Sequence, residues 1–233
     1  MKPLEEGSLL DDEAIVSRRG SRGVPVCELG NHQRMAFLRK YFFTLFFQAV
    51  TCTLVSAVLF LIPGVRGFVQ QTGWCRWLIY STTGASLALS VIAESKYPLN
   101  YFIWILLTGH LSLIITLLST YNDTEVPIQI CALLATIFLA MIVYCSQNSL
   151  KYNKFYAMIA SGMIAFMMSV FIQVALVIYD FSYVTCVGLS FLLSSYIHQM
   201  ADVGMQKLTT ADALRANFSL YTSGLKWMIA KFL

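Results

Sequence analysis

The chain has 233 residues, 58% hydrophobic and 12% charged, with a mean hydropathy of +0.67. A soluble domain carries about a quarter charged residues, so this chain cannot coat a water-facing surface and most of its exterior must face lipid. The formal net charge of +4 gathers into no basic patch, so no nucleic-acid partner is expected.

Residues 1–33 read as a flexible polar tail, followed by a membrane domain over 34–233. Seven Lys/Arg and six Asp/Glu fall within residues 1–40. No apolar run precedes residue 34, so no cleaved secretory leader is expected. Inside the tail, Glu5-Glu6-Gly7-Ser8-Leu9-Leu10 has the form of an acidic dileucine sorting signal read through Glu5, Leu9 and Leu10. A plain disordered tail is the simpler alternative.

A helix needs about 20 apolar residues to cross the bilayer core. The runs that qualify are Tyr41–Ile62, Trp74–Ala93, Leu99–Tyr121, Pro127–Cys145, Phe155–Tyr179 and Tyr183–Met200, with a weaker seventh at Phe218–Leu233. The predicted fold is an all-α polytopic membrane bundle of seven helices, the last either spanning or re-entrant. Pro63-Gly64 ends the first helix, and Pro98 and Pro127 open the third and fourth. Gly84, Ala85, Ser86 and Ala88 in the second segment, and Ala160, Ser161 and Gly162 in the fifth, are small enough for close helix approach. No internal repeat suggests an inverted-repeat transporter.

Lys/Arg at the helix ends predict orientation. Arg34, Arg39, Lys40, Lys96, Lys151, Lys154, Lys207 and Arg215 share one side, and Arg66 and Arg76 the other, so the N-terminus is expected in the cytosol. Asn122-Asp123-Thr124 is a glycosylation sequon on the opposite side, in a loop so short that an unmodified asparagine is the better expectation. The six cysteines, 27, 52, 75, 131, 145 and 186, show no CxxC and read as reduced, mostly apolar-segment residues.

Ionisable groups at membrane depth are costly and therefore functional suspects. His110 lies mid-way along the third segment, and His198 and Asp202 near the end of the sixth. Arg76, flanked by Trp74 and Trp77, and Glu94 and Lys96 read as interfacial side chains. The three histidines have no metal-binding spacing. No nucleophile elbow, P-loop or HExxH motif occurs, so no enzyme and no cofactor are expected.

Several short stretches, in order and at matching intervals, carry a resemblance. They are Arg34-Met35-Ala36-Phe37-Leu38-Arg39-Lys40, Lys96-Tyr97-Pro98-Leu99-Asn100, Ser119-Thr120-Tyr121-Asn122-Asp123, Lys207-Leu208 and Ser219-Leu220-Tyr221. Together they resemble the transmembrane Bax-inhibitor-motif family, in its Lifeguard and Golgi anti-apoptotic branch, with poxvirus and cytomegalovirus relatives. The resemblance covers about residues 34–230. It implies seven helices with a central last one, residence in ER/Golgi or endolysosomal membranes, dampened cell death and a pH-sensitive leak of Ca²⁺ gated by two aspartates. Close carboxylates share a proton, so their charge state can switch a helix contact.

Here that pair is missing. Ser223 stands at the seventh-helix aspartate, Gln199 or Met200 at the sixth-helix one, and Leu111, beside His110, at a glutamate of the third. The ion-site and gating candidates that remain are Asp202, His198, Lys226, Ser223 and His110, with Ca²⁺ as the ion implied. The departure resembles that of cytomegalovirus members, which implies action on the traffic of other membrane proteins. Two functions follow: a modulator of ER/Golgi calcium and cell death, or a non-conducting protein that binds and redirects membrane partners. The last segment is amphipathic, with Leu225, Met228, Ile229 and Phe232 on one side and Ser219, Thr222, Ser223 and Lys226 on the other. Lys226 either snorkels to the interface or pairs within the bundle, with Asp202 or a carbonyl.

Overall fold

A computed structural model describes residues 25–93, 98–147, 151–176, 182–209 and 212–232. For residues 90–93, 172–173, 175–176, 182 and 224–232 the description is of the backbone. A 3-10 turn at Val26–Glu28 is followed by α1 Asn31–Leu61, α2 Pro63–Gln71, α3 Gly73–Ala93, α4 Leu99–Tyr121, α5 Val126–Ser146, α6 Lys154–Leu176, α7 Ser182–Lys207 and α8 Ala213–Phe232. Among the described residues, α1, α4, α5, α6 and α7 are long and apolar enough to cross a membrane. The chain is an integral membrane protein, and its regular structure among the described residues is all helical. The second and seventh expected segments are the helices α3 and α8.

The first helix begins ten residues before the apolar run expected at Tyr41. No glycine or proline interrupts residues 31–61, so nothing stops the helix short of Pro63. At 1.5 Å per residue its 31 residues run about 46 Å, well beyond a ~30 Å hydrocarbon core. Arg34, Arg39 and Lys40 therefore sit on a helical extension rather than on a loose flank. Packing also starts before the tail boundary expected at residue 33. Val26 is fully buried and its N–H donates to the Leu208 carbonyl at 3.0 Å, tying the start of α1 to the end of α7.

Pro63 does more than end α1, because it opens a helix that the hydropathy pattern did not announce. In α2 the proline takes the first helical turn, where its missing N–H costs nothing. Gln70 Nε2 donates to the Thr120 carbonyl at 3.2 Å, and Arg66 pairs with Asp123, so α2 is held against the end of α4. That end has a Schellman closure: Asp123 takes φ 52°, and the Thr124 N–H returns to the Ser119 carbonyl at 3.0 Å. Asn122 of the sequon is the C-cap, and its Nδ2 donates to the Leu118 carbonyl at 2.9 Å. Arg76, as expected beside aromatics, lies 4.6 Å over the Tyr121 ring.

The bundle is organised around α1, which packs on α5 and α4 and also touches α8 and α7. Further pairings are α3 with α4, α6 with α7, and α7 with α5, while α8 touches α1, α7 and α3. The half of the bundle nearest the α1 start is densely filled by Met35, Phe37, Leu38, Tyr41 and Phe42, all fully buried. The small-residue expectation divides. A Cβ on Gly162 would come within 2.8 Å of the Phe191 ring, so α6 and α7 meet at that glycine. In α3 the packed face is Thr83 and Ser86, whereas Gly84, Ala85 and Ala88 point outward.

Candidate functional site

Two polar constellations interrupt the apolar interior. The first lies where the α5–α6 connection meets the last third of α7. His198 is only 1% exposed and its ring stands 5.5 Å from the Phe42 ring. Its Nε2 is 2.8 Å from Ser161 Oγ on α6, and its Nδ1 is 3.0 Å from Tyr152 Oη. Ser161 donates its own hydroxyl proton to the Ala157 carbonyl at 2.8 Å, so it accepts from Nε2–H and leaves Nδ1 to accept from Tyr152. Both ring nitrogens are satisfied.

A serine within reach of an imidazole has the outline of a nucleophile and its base. The geometry opposes that use, because Ser161 is fully buried and its proton is directed at backbone. The trio is a clamp that joins a connection, α6 and α7. Burial pushes the Tyr152 phenol above its ordinary ionisation range, with Cys145, Tyr41, Asp202 and Tyr144 adding to the effect.

One turn on from His198, Asp202 bonds Lys154 Nζ at 3.0 Å. The side chains are 28% and 55% exposed, so this is a rim ion pair rather than a buried charge. Lys226, expected either to snorkel to the interface or to pair with Asp202 or a carbonyl, has a side chain outside the described residues. Gly204 meets Ala216, and Tyr196 Oη donates to the Leu220 carbonyl at 3.1 Å, which seats α7 against the first half of α8.

The second constellation surrounds a cavity of about 500 Å³ lined from α1, α3, α4, α5, α7 and α8. Its walls include Leu45, Leu87, Leu111, Leu134, Phe138 and Leu193, and no charged side chain lines it among the described residues. Polar character comes from Gln48, Tyr196 and Tyr221, with the thiols of Cys52 and Cys131. Tyr221 Oη donates to Gln48 Oε1 at 2.7 Å. Gln48 Nε2, and toward the α1 start Tyr41 Oη and both amide atoms of Asn217, are buried without a hydrogen-bond partner among the described residues.

The other candidates are scattered. His110 Nδ1 lies 2.8 Å from the Leu106 carbonyl and 3.3 Å from Ser86 Oγ, so it links α4 to α3, away from His198. Ser223 is half-buried on α8, just past Tyr221. Glu5, Leu9, Leu10, Glu94 and Lys96 lie outside the described residues. Sequence reading passed over Gln48, although it is the one amide in the run Tyr41–Ile62 and that oddity was visible. Tyr152 gave no comparable signal.

The positions matched to family acids, Leu111, Gln199 or Met200, and Ser223, carry no carboxylate, and Leu111 is part of the cavity wall. The chain is 25% identical to Protein lifeguard 4 of Mus musculus over 142 residues, 60% of this chain and 59% of the relative. It is 29% identical to the Golgi anti-apoptotic protein of Vaccinia virus over 133 residues, 57% and 56% of the two chains. Its relatives are Bax-inhibitor-motif proteins. Bax inhibitor 1 of Schizosaccharomyces pombe is 24% identical over 130 residues, 56% of this chain and 49% of that one. The chain thus spans about half to three-fifths of the length of the curated relatives it matches. No family model and no solved structure matches it.

Proposed function

We propose that this chain is a seven-span protein of intracellular membranes that restrains cell death, and that it does so without conducting Ca²⁺ through its own centre. Support for the first part comes from relatives whose names record anti-apoptotic action, one of them viral. The observation that carries the second part is the wall of the central cavity. Ca²⁺ takes six to eight oxygen ligands, carboxylates prominent among them. The cavity offers an amide oxygen already engaged by Tyr221 and two phenols already donating elsewhere. The nearest acid considered, Asp202, is held on the rim by Lys154. No enzymatic step is proposed.

The orientation proposed is a cytosolic N-terminus, because the basic residues at the α1 start, Lys151, Lys154 and Lys207 share the end of the bundle where Val26 meets Leu208. Store calcium and survival test the function together. Cells expressing the chain should survive an apoptotic stimulus better, and the passive loss of store Ca²⁺ after pump inhibition should match untransfected cells. A faster leak that Asp202→Asn abolishes would overturn the non-conducting reading. Unchanged survival would overturn the anti-apoptotic one.

A further inference from the structure

We infer that a second pocket, toward the α1 start, binds the headgroup of an anionic phospholipid, with the phosphate held by Arg39 and Lys40. The pocket has a volume of about 430 Å³ and is walled by α1, α4, α5 and α8. Arg39, Lys40 and Phe43 come from α1, Tyr101 from α4, Ile142 from α5 and Leu214 from α8. Both cations are exposed, and neither has an ion-pair partner among the described residues. No carboxylate lines the pocket among those residues. Asp212, next in sequence to its α8 wall, already accepts from the Thr209 hydroxyl at 2.7 Å. Thr44, also in the wall, donates its proton to the Tyr41 carbonyl at 2.8 Å and so offers an anion nothing. Arg39 and Lys40 therefore set the sign of the occupant.

Depth and shape make that anion a lipid. From Lys40 to Leu61, the end of α1, the helix rises about 32 Å at 1.5 Å per residue, against a ~30 Å hydrocarbon core. The two cations thus stand at the level of the lipid phosphates. From there toward the bilayer centre the outer face of α1 is aromatic: Phe43 is 51% exposed and Phe47 55%, with their rings 5.8 Å apart. Phe43 belongs both to the pocket and to that face. One occupant can therefore seat its phosphate on Arg39 and Lys40 and lay an acyl chain over Phe43 and Phe47. A free phosphate would meet the cations and leave the aromatic track unused. Basic pockets between spanning helices on the cytoplasmic side bind lipid headgroups, and that leaflet carries the anionic lipids. Which leaflet supplies the lipid rests on the orientation proposed above, whereas binding itself does not.

Native mass spectrometry of the full chain in detergent tests this by titration with phosphatidylserine, phosphatidylinositol 4-phosphate and phosphatidylcholine. At least one anionic lipid should bind about tenfold or more tightly than phosphatidylcholine, and the tighter of the two identifies the headgroup. The soluble headgroups, glycerophosphoserine and inositol 1,4-bisphosphate, should bind more weakly than the lipids they come from. Arg39→Gln with Lys40→Gln should weaken the anionic lipid about thirtyfold, the worth of two basic contacts at a membrane surface. Lys151→Gln with Lys207→Gln removes the same charge from exposed positions at the same end, outside the pocket, and should change binding less than about threefold. Ile142→Trp keeps both cations and fills the pocket, and should weaken binding about tenfold or more. Thr44→Trp serves the same purpose if Ile142→Trp does not fold. Equal losses in the two charge-removing pairs, or full binding in the filled pocket, would overturn the inference. So would equal binding of phosphatidylcholine, or soluble headgroups that bind as well as their lipids.

Discussion

The phenol of Tyr221 donates to Gln48 Oε1 at 2.7 Å, joining the last helix to the first across 173 residues. Both side chains are at mid-bundle depth, where water cannot substitute for a lost partner. Such interhelical bonds in membrane proteins are worth about 0.6 kcal/mol on average and up to about 1.7. Tyr221→Phe should therefore lower the unfolding midpoint in detergent modestly. Gln48→Leu removes two groups, one of which is already unpaired, and should cost less than Tyr221→Phe. A Gln48→Leu variant that unfolds more readily than Tyr221→Phe would mean that Nε2 has a partner in the bilayer.

His198 should be the most sensitive of the polar positions to truncation. Its ring fills space beside Phe42 and satisfies hydroxyls on two other segments. His198→Ala leaves a cavity and strands the Tyr152 hydroxyl without an acceptor, while Ser161 keeps its bond to the Ala157 carbonyl, at a cost of about 3–5 kcal/mol. Tyr152→Phe loses one bond, about 1 kcal/mol. Alkaline pH adds a signature. The folded phenol of Tyr152 ionises above the unfolded one, so its contribution is fully present below about pH 10 and is lost as pH rises beyond it. Melting curves taken upward from pH 9 should fall less steeply in Tyr152→Phe than in the parent.

Two glycines should respond in opposite directions to one methyl group. At Gly162 a Cβ would press to within 2.8 Å of the Phe191 ring, so Gly162→Ala should destabilise by about 1–3 kcal/mol through overpacking. At Gly84 nothing lies within 4 Å, and Gly84→Ala should gain about 0.5–1 kcal/mol from the reduced freedom of the unfolded chain. Equal effects at the two sites would contradict the packing described for α6 and α7.

The tail motif can be tested apart from the bundle. If Leu9-Leu10 routes the protein, Leu9→Ala with Leu10→Ala should shift it from endolysosomal compartments toward the surface or Golgi in imaging, with unchanged thermal stability. Identical distributions would remove the sorting role and leave a plain polar tail.

How much of the site was legible beforehand differs residue by residue. His198 and Asp202 stood out because charge-capable groups near membrane depth are rare, and both proved to be engaged. Their partners were not legible. Asp202 was offered Lys226 as one possible partner among others, and the structure pairs it with Lys154, the first residue of α6. Gln48 was legible and was passed over, since a single amide in an apolar run has no meaning until a partner is known. Gly84 and Gly162 looked alike in sequence, and only one of them faces a neighbouring helix.

Sequence alone determined that this chain lies in a membrane and where its helices start and stop. Both are local matters: hydrophobic run length against bilayer thickness, and proline or glycine where the backbone ladder must end. Even there the early start of α1 and the short α2 escaped notice, because a hydropathy window sees apolar length and misses polar helix. Tertiary structure decided which face of each helix is inside. In lipid a helix can be apolar all round, so periodicity does not separate core from exterior. Interhelical register then set which of the few polar groups meet. That register placed Tyr152 and Ser161 on His198, and left Gln48 Nε2 buried without a partner among the described residues.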